Sequence, residues 1–149
     1  MTRLRMPVVL VAALAAVALS GCSLFAADEP DFDMAAGECV VDESITSDTQ
    51  TEIGELPVVD CSEPHHGEVY YAEVIDATIY PDNIATTVEE ACLENFADYV
   101  GVEYAESRYY ISLIYPSETT WDEGDRQTAC LITGDTDEEL TSSVEGSGE

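Results

Sequence analysis

Four cysteines have the most informative spacing in this 149-residue chain: Cys39, Cys61, Cys92 and Cys130. They form an even set, whereas the fifth cysteine, Cys22, lies near the N-terminus in a different context. An even set in an exported chain predicts two disulfides, and sequence alone allows three pairings. We favour Cys39–Cys61 and Cys92–Cys130, because these join neighbouring segments, and each closure contributes roughly 3–4 kcal/mol in the entropy model. A zinc site is the alternative, but the chain has no Cys-x-x-Cys pair.

The N-terminus has the pattern of a lipoprotein signal peptide. Two arginines precede an apolar run over residues 8–19, which is too short to span a bilayer comfortably. The run ends in Leu-Ser-Gly-Cys, which resembles the bacterial lipobox, where the chain is cleaved before a lipid-carrying cysteine. We therefore expect a signal peptide over residues 1–21 and lipidation of Cys22 at the outer leaflet of the plasma membrane. An ordinary cleaved signal with an incidental cysteine is the alternative.

Charge limits the partners of the mature chain. All 32 acidic residues follow residue 21, but only two of the four basic residues do, Arg108 and Arg126. Such a chain repels nucleic acid, anionic headgroups and acidic wall polymers, so a nucleic-acid binder is excluded. No second apolar run exists, which also excludes a polytopic membrane protein. Residues 22–36 hold acids around Pro30 and few large apolar groups, which predicts an acidic tether.

Imidazole and carboxylate groups meet in the motif Glu-Pro-His-His-Gly-Glu at residues 63–68. His65 and His66 among acids suit zinc or copper, but adjacent residues of an extended chain point in opposite directions, so both rarely ligate one ion. We interpret Pro64 as the turn after a disulfide and His65 as a hydrogen-bond partner of a carbonyl or a carboxylate. A partner contact and a metal ion stay open as alternatives. The contact or structural residues of this motif are Glu63, Pro64, His65 and Glu68.

A second motif, Trp-Asp-Glu-Gly-Asp-Arg at residues 121–126, combines an aromatic ring with one of the two mature arginines. Trp121 is predicted to cover the core rather than to offer a platform for a sugar. In so negative a field, Arg126 is predicted to form a bidentate ion pair between strands with one of three carboxylates: Glu63, Glu68 or Asp125. A clamp for the carboxylate of a ligand is the alternative.

The sequence lacks the motifs that are typical of catalytic sites. It has no Ser-His-Asp elbow, no free catalytic cysteine and no glycine-rich phosphate loop. A carboxylate pair for wall-polymer cleavage is compatible with so many acids, but their abundance makes any one pair uninformative. The acidic clusters at 122–125 and 135–139 lack the calcium-loop pattern. We therefore predict no enzyme activity, no catalytic residue, no metal and no cofactor.

The segments that must position these motifs predict a small α+β domain. The helix, over residues 82–100, has one apolar stripe that includes Cys92, a capping-box start at Thr86 or Thr87, and a stop at Gly101. The order β-β-β-α-β-β predicts a small antiparallel sheet packed against one main helix, with two disulfides. The strands are predicted over 38–41, 56–60, 68–74, 108–115 and 127–133.

Two further predictions concern strand faces and the C-terminus. In the third strand, alternation places Tyr70, Ala72 and Val74 on one face and Val69 and Tyr71 on the other. Residues 134–149 carry six acids and no base. We expect this stretch to be partly mobile, with a short closing strand formed by two apolar positions: Leu140 and Val144.

Several motifs occur in an order that resembles a known family. Gly-Glu-Cys-Val at 37–40 is followed by Cys-Ser-Glu-Pro-His at 61–65, Gly-Glu-Val-Tyr at 67–70 and Trp-x-x-Gly-Asp-Arg at 121–126. Over about residues 36–148 this resembles the septum-formation domain family of actinobacterial cell-surface proteins. The resemblance implies an extracytoplasmic domain over residues 37–149, linked to cell division or envelope growth and without an established catalytic activity.

Three functional hypotheses follow. The leading one is a non-enzymatic, lipid-anchored extracytoplasmic domain that contacts an unknown envelope or division protein. The second is an extracytoplasmic ligand-binding module or hydrolase that acts on the cell wall. In the third hypothesis, the large negative charge performs the function: it keeps the chain soluble at high ionic strength or buffers cations at the cell surface.

Overall fold

The computed structural model describes residues 34–45, 56–135 and 138–149. The predicted signal peptide, Cys22 and most of the predicted tether lie outside the described residues. The described elements confirm the α+β class: five strands form one antiparallel sheet, and one main helix packs against it. In chain order they are β1 (Cys39–Val40), β2 (Val58–Val59), β3 (Gly67–Val74), α1 (Ile84–Val100), a 3-10 turn (Tyr104–Glu106), β4 (Tyr110–Ile114), α2 (Glu118–Asp122) and β5 (Gln127–Thr133).

The strands are arranged β2-β1-β3-β5-β4, and every neighbouring pair is antiparallel. Strand β5 lies between β3 and β4 and is buried over six of its seven residues, which include the apolar run at 129–132. Its predicted bounds are confirmed. The other strands are shorter than predicted or differ at an end, and β1 and β2 keep only two paired residues each.

A bulge in β3 overturns the predicted alternation of its side chains. Val69 and Tyr71 pair with adjacent residues of β5, so Tyr70 is the extra residue. Tyr70 and Tyr71 both pack in the core on the helix side of the sheet, and Ala72 joins Val69 in a second core. The predicted faces are wrong beyond Tyr70 because an inserted residue moves every later side chain to the opposite face.

Helix α1 packs through a stripe of buried residues spaced four apart: Ile84, Val88, Cys92, Phe96 and Val100. Its predicted end at Gly101 is confirmed, since Gly101 has φ +94° and its N–H donates to the carbonyl of Ala97. The predicted capping box at Thr86 or Thr87 is wrong. The helix starts earlier, because the N–H of Ile84 already donates to the carbonyl of Pro81. Asn83 is the N-cap, but its side chain makes no capping hydrogen bond and instead donates to the hydroxyl of Thr87.

Both faces of the sheet are covered. On one face the helix stripe meets Tyr70, Trp121 and Ile132. The other face carries a smaller core that was not predicted, in which Met34 and Ile45 cover residues of the strands. Two disulfides form with the pairing that we favoured, Cys39–Cys61 and Cys92–Cys130. The second of them joins α1 to β5, as expected.

The stretch between β4 and β5 and the C-terminus differ from expectation. The segment before β5 contains α2, whose capping box is formed by Ser117 and Thr120. The predicted closing strand is reduced to one antiparallel bridge between Leu140 and His65, although Leu140 and Val144 are both buried. The partial mobility expected for residues 134–149 stays a prediction. Within the described ranges, no helix is both long and apolar enough to span a bilayer.

Candidate functional site

A buried carboxylate lies at the start of β3. The side chain of Glu68 has no exposed surface, and it accepts three hydrogen bonds. The hydroxyl of Tyr99 donates to Oε1 over 2.6 Å, the hydroxyl of Ser143 donates to Oε1 over 2.7 Å, and the N–H of Val144 donates to Oε2 over 2.8 Å. We call these four residues the polar clamp. Its donors satisfy a charge that would otherwise be costly to bury.

Three separate parts of the chain meet in the polar clamp. Glu68 comes from the sheet, Tyr99 from the last turn of α1, and Ser143 and Val144 from the C-terminal segment, which we define as residues 138–149. Burial raises the pKa of Tyr99, and the hydrogen bond to Glu68 and its negative charge raise it further. The phenol therefore stays protonated and remains a donor throughout the neutral range.

His65, three residues before Glu68, also contacts the C-terminal segment. Its backbone exchanges two hydrogen bonds with Leu140, of 2.9 and 2.8 Å. Its Nδ1 atom lies 2.8 Å from the carbonyl oxygen of Glu63, which is the carbonyl contact predicted for it. The ring is fully buried, and Nε2 has no hydrogen-bond partner among the described residues. Glu63 and Pro64 are exposed and form the turn before it.

The C-terminal segment is attached to the end of α1 as well. The N–H groups of Gly146 and Gly148 donate to the carbonyls of Tyr99 and Val100, over 2.8 and 2.9 Å. These are carbonyls in the last turn of the helix, which have no partner within the helix itself. Beyond them, Glu149 forms an ion pair of 3.1 Å with Arg108, and both side chains are more than half exposed. Polar contacts thus connect this segment to the sheet and to the helix.

A possible metal-ligand set borders the polar clamp. Among the described residues, the sulfur of Cys39, a ring nitrogen of His65 and a carboxylate oxygen of Glu68 lie within 4.8 Å of one another. The sulfur of Cys39 is bonded to Cys61 and so is not a thiolate. The two remaining groups, one imidazole and one carboxylate, are fewer than the three or four protein ligands of usual zinc sites. The expected absence of a metal stays a prediction.

Arg126 does not form the carboxylate pair predicted for it. Its Nη1 atom donates to two main-chain carbonyls, those of Trp121 at 2.7 Å and Asp125 at 2.6 Å. Its guanidinium lies over the indole of Trp121, with Cζ 3.7 Å from the ring centre. The prediction was wrong because one guanidinium nitrogen donates to a carbonyl of the last turn of α2 and to a second carbonyl in the loop that follows, so Arg126 binds main-chain acceptors instead of a carboxylate.

Trp121 is buried, as expected of a residue that covers the core. Only 4% of it is exposed, and Tyr80 contacts its ring edge-to-face at a centroid distance of 5.6 Å. With Arg126 on the ring face, the indole packs α2 against the core on the helix side of the sheet. The carboxylate of Asp125 accepts from the N–H of Gln127, which fixes the entry to β5.

An apolar groove lies at the other end of β3, and the sequence reasoning missed it. It has a volume of about 220 Å³ and is lined by Glu73, Val74, Ile75, Asp76, Pro81, Ile84 and Thr87. Val74 is 70% exposed, and Ile79, in the connection between β3 and α1, is 80% exposed. We use the name apolar groove for this concavity together with Ile79, which does not line it but lies in the chain between the lining residues Asp76 and Pro81. The available signal was that branched apolar residues recur at positions 75, 79 and 84, past the end of the strand.

A family model described as "Septum formation" matches residues 36–149 of the chain. The chain belongs to the septum-formation family. No match was found among curated proteins or among solved structures.

In this member of the septum-formation family, three of the motifs that carry the resemblance belong to two different hydrogen-bond networks. Cys-Ser-Glu-Pro-His and Gly-Glu-Val-Tyr supply His65 and Glu68 to the region that holds the C-terminal segment. Trp-x-x-Gly-Asp-Arg forms a local unit around Trp121, outside that region. Sequence reasoning identified the carboxylate but missed its partners Tyr99, Ser143 and Val144. The sequence offers one indication that Glu68 is buried: it lies two residues before Tyr70, so the two side chains point to the same face of a regular strand.

Proposed function

We propose that this chain acts in septum formation or envelope growth as a non-enzymatic, lipid-anchored extracytoplasmic domain that works through protein contacts. Membership of the septum-formation family supports the link to division. The two disulfides support an extracytoplasmic location, because such bonds persist in oxidising compartments. The lipobox-like sequence that ends in Cys22 supports the anchor.

One observation supports the non-enzymatic part of the proposal: the carboxylate of Glu68, in one of the family motifs, is already hydrogen-bonded inside the fold. A general acid or base must come within hydrogen-bond distance of the group that it serves in the substrate. Glu68 is fully buried, and its oxygens already accept from Tyr99, Ser143 and Val144. The residues with the most suggestive chemistry therefore support the architecture, which leaves the surface to carry the function.

The wall-directed alternative has less support. Cleavage of a wall polymer by a carboxylate pair requires two acids on either side of an accessible bond. Acidic wall polymers and this acidic chain also repel each other. A protein partner with a complementary surface has no such barrier, which is why we propose protein contact as the mode of action.

The test is the position of the untagged, full-length chain in dividing cells. We expect immunofluorescence to show it enriched at the septum, and deletion of the chain to alter septum placement without changing the composition of wall fragments. A Cys22→Ala variant should lose both membrane attachment and septal enrichment. Uniform staining around the envelope, or a changed fragment profile with normal septa, would overturn the proposal in favour of a wall-directed activity.

A further inference from the structure

The apolar groove exposes two large apolar side chains to solvent. Val74 ends β3 with 70% of its surface exposed, and Ile79 is 80% exposed in the connection to α1. Val74 lines a concavity of about 220 Å³ together with Ile75 and Ile84, and Ile79 lies in the chain between the lining residues Asp76 and Pro81. An engineered apolar cavity of about 150 Å³ accommodates benzene, so this groove has room for one aromatic or branched aliphatic side chain.

The rim of the groove is acidic. Glu73 and Asp76 line it, and the exposed Asp82 follows Pro81 directly. The two arginines of the mature chain are engaged elsewhere, since Arg108 pairs with Glu149 and Arg126 covers Trp121. A ligand that enters the groove therefore meets apolar surface in the centre and negative charge around it.

The negative charge around the apolar groove restricts which partner can bind there. A second copy of the chain would bring 32 acids against the same number, and an anionic lipid surface would be repelled for the same reason. We propose that the apolar groove docks a cationic segment of another extracytoplasmic protein, with one large apolar side chain in the groove and lysine or arginine residues opposite Glu73, Asp76 and Asp82. The apolar side chain in the groove slows dissociation of the complex. The charges on the rim speed association and make the association rate sensitive to salt.

This inference rests on the proposed function, because it names the surface and the class of partner for the protein contact. The test uses the full-length chain in the cells that make it, with a photoreactive amino acid at position 79. Position 58 serves as the matched control, because Val58 is 57% exposed but lies on β2, at the far edge of the sheet. After irradiation, the cross-linked segment is identified by mass spectrometry.

We expect an adduct at position 79 at least about fivefold above that at position 58, with a net positive segment that contains a large apolar residue. An Asp76→Lys/Asp82→Lys variant should lower the yield at position 79 by about threefold to tenfold, because two rim charges are reversed. A Glu43→Lys/Glu103→Lys variant changes net charge equally at exposed positions elsewhere and should stay within about twofold of the unmodified chain.

Three results would overturn the groove proposal: no excess of adduct at position 79, a cross-linked segment that is acidic or belongs to a second copy of this chain, or equal losses in both charge variants.

The experiment also separates the groove proposal from the proposed septal function. A partner captured only at position 58 would leave protein contact standing and remove the groove. A cationic partner captured at position 79 in cells without septal enrichment would keep the groove and remove the septal role.

Discussion

The two ends of β3 have opposite characters. At its start, Glu68 is a fully buried charge with every oxygen engaged, and roughly 20 Å further along the strand Val74 is an apolar side chain that is mostly exposed. The polar clamp hides polar groups inside the molecule, and the apolar groove presents hydrophobic groups to solvent. In this member of the septum-formation family, the motif rich in chemical groups has its carboxylate buried and hydrogen-bonded, and we propose that the surface with plain hydrophobic residues makes the contact.

This difference follows from the cost of each arrangement. A buried carboxylate persists only where donors replace the water that it has lost, so its environment is tightly specified by the fold. An exposed valine or isoleucine contributes little to stability and is free to serve another purpose. Substitutions in the polar clamp should therefore affect folding first, whereas substitutions in the apolar groove should affect partners first.

The largest effect is expected from Glu68→Ala. Removal of the carboxylate leaves the buried N–H of Val144 and two hydroxyls without their acceptor, and the free energy of unfolding should fall by about 3–5 kcal/mol. Denaturant unfolding at pH 7 with the disulfides intact measures this. Glu63→Ala, an exposed position in the same motif, is the control and should stay within about 0.5 kcal/mol of the parent. Equal effects of the two variants would contradict the clamp.

Alkaline pH should weaken the same region. Burial raises the pKa of Tyr70 and of Tyr99 above the ordinary value of about 10, and the hydrogen bond with Glu68 adds to the shift of Tyr99. In the unfolded chain both phenols lose their protons near pH 10, so their contribution to stability is complete below that pH and declines above it. The slope should reach at most about 2.7 kcal/mol per pH unit for the two groups together.

Unfolding free energies measured between pH 8 and 11.5, together with tyrosinate absorbance, test this dependence. A Tyr99→Phe chain should show a smaller slope than the parent, because one of the two groups no longer titrates. A stability that is flat up to pH 11 would show that neither phenol is held in its protonated form by the fold.

A smaller loss is expected from Tyr99→Phe at pH 7. The substitution removes one hydrogen bond to a charged acceptor but leaves Ser143 and Val144 in place, so the free energy of unfolding should fall by about 1–2 kcal/mol. Tyr110→Phe is the control, because Tyr110 lies exposed on the edge strand β4. A cost for Tyr99→Phe as small as that of the control would mean that the hydroxyl of Tyr99 is not needed by Glu68.

The smallest effect on stability is expected in the apolar groove. Ile79→Ser removes a side chain that is 80% exposed, so the free energy of unfolding should change by less than about 0.5 kcal/mol. The same variant should lose most of its cross-linking to a cationic partner. A loss of more than about 2 kcal/mol would show that Ile79 supports the fold, and the contrast between the two ends of β3 would then disappear.

Much of the architecture could be predicted from the sequence, because it rests on local patterns. The apolar stripe of α1, its end at Gly101 and the bounds of β5 follow from patterns within a single segment. The disulfide pairing was one of three that the sequence allows, and we favoured it because it joins neighbouring segments. What could not be predicted depends on residues far apart in the chain. Glu68 and Val144, for example, are separated by 76 positions.

The errors have the same origin. The bulge at Tyr70 arises from pairing with β5, and the strand's own alternation does not reveal it. Arg126 was assigned to a carboxylate on charge alone, although carbonyls made available by the unpredicted helix α2 lie nearer. The apolar groove is formed where β3, its connection and α1 converge, so its residues stand out only once the exposed surface of each is known.

The central claim is that the polar clamp is structural and the apolar groove carries the contact. The most direct test is septal enrichment, by immunofluorescence, of full-length Ile79→Asp and Ser143→Ala chains compared at equal protein amounts. We predict that Ile79→Asp loses septal enrichment while Ser143→Ala keeps it. Enrichment that survives in Ile79→Asp and is lost in Ser143→Ala would contradict the account.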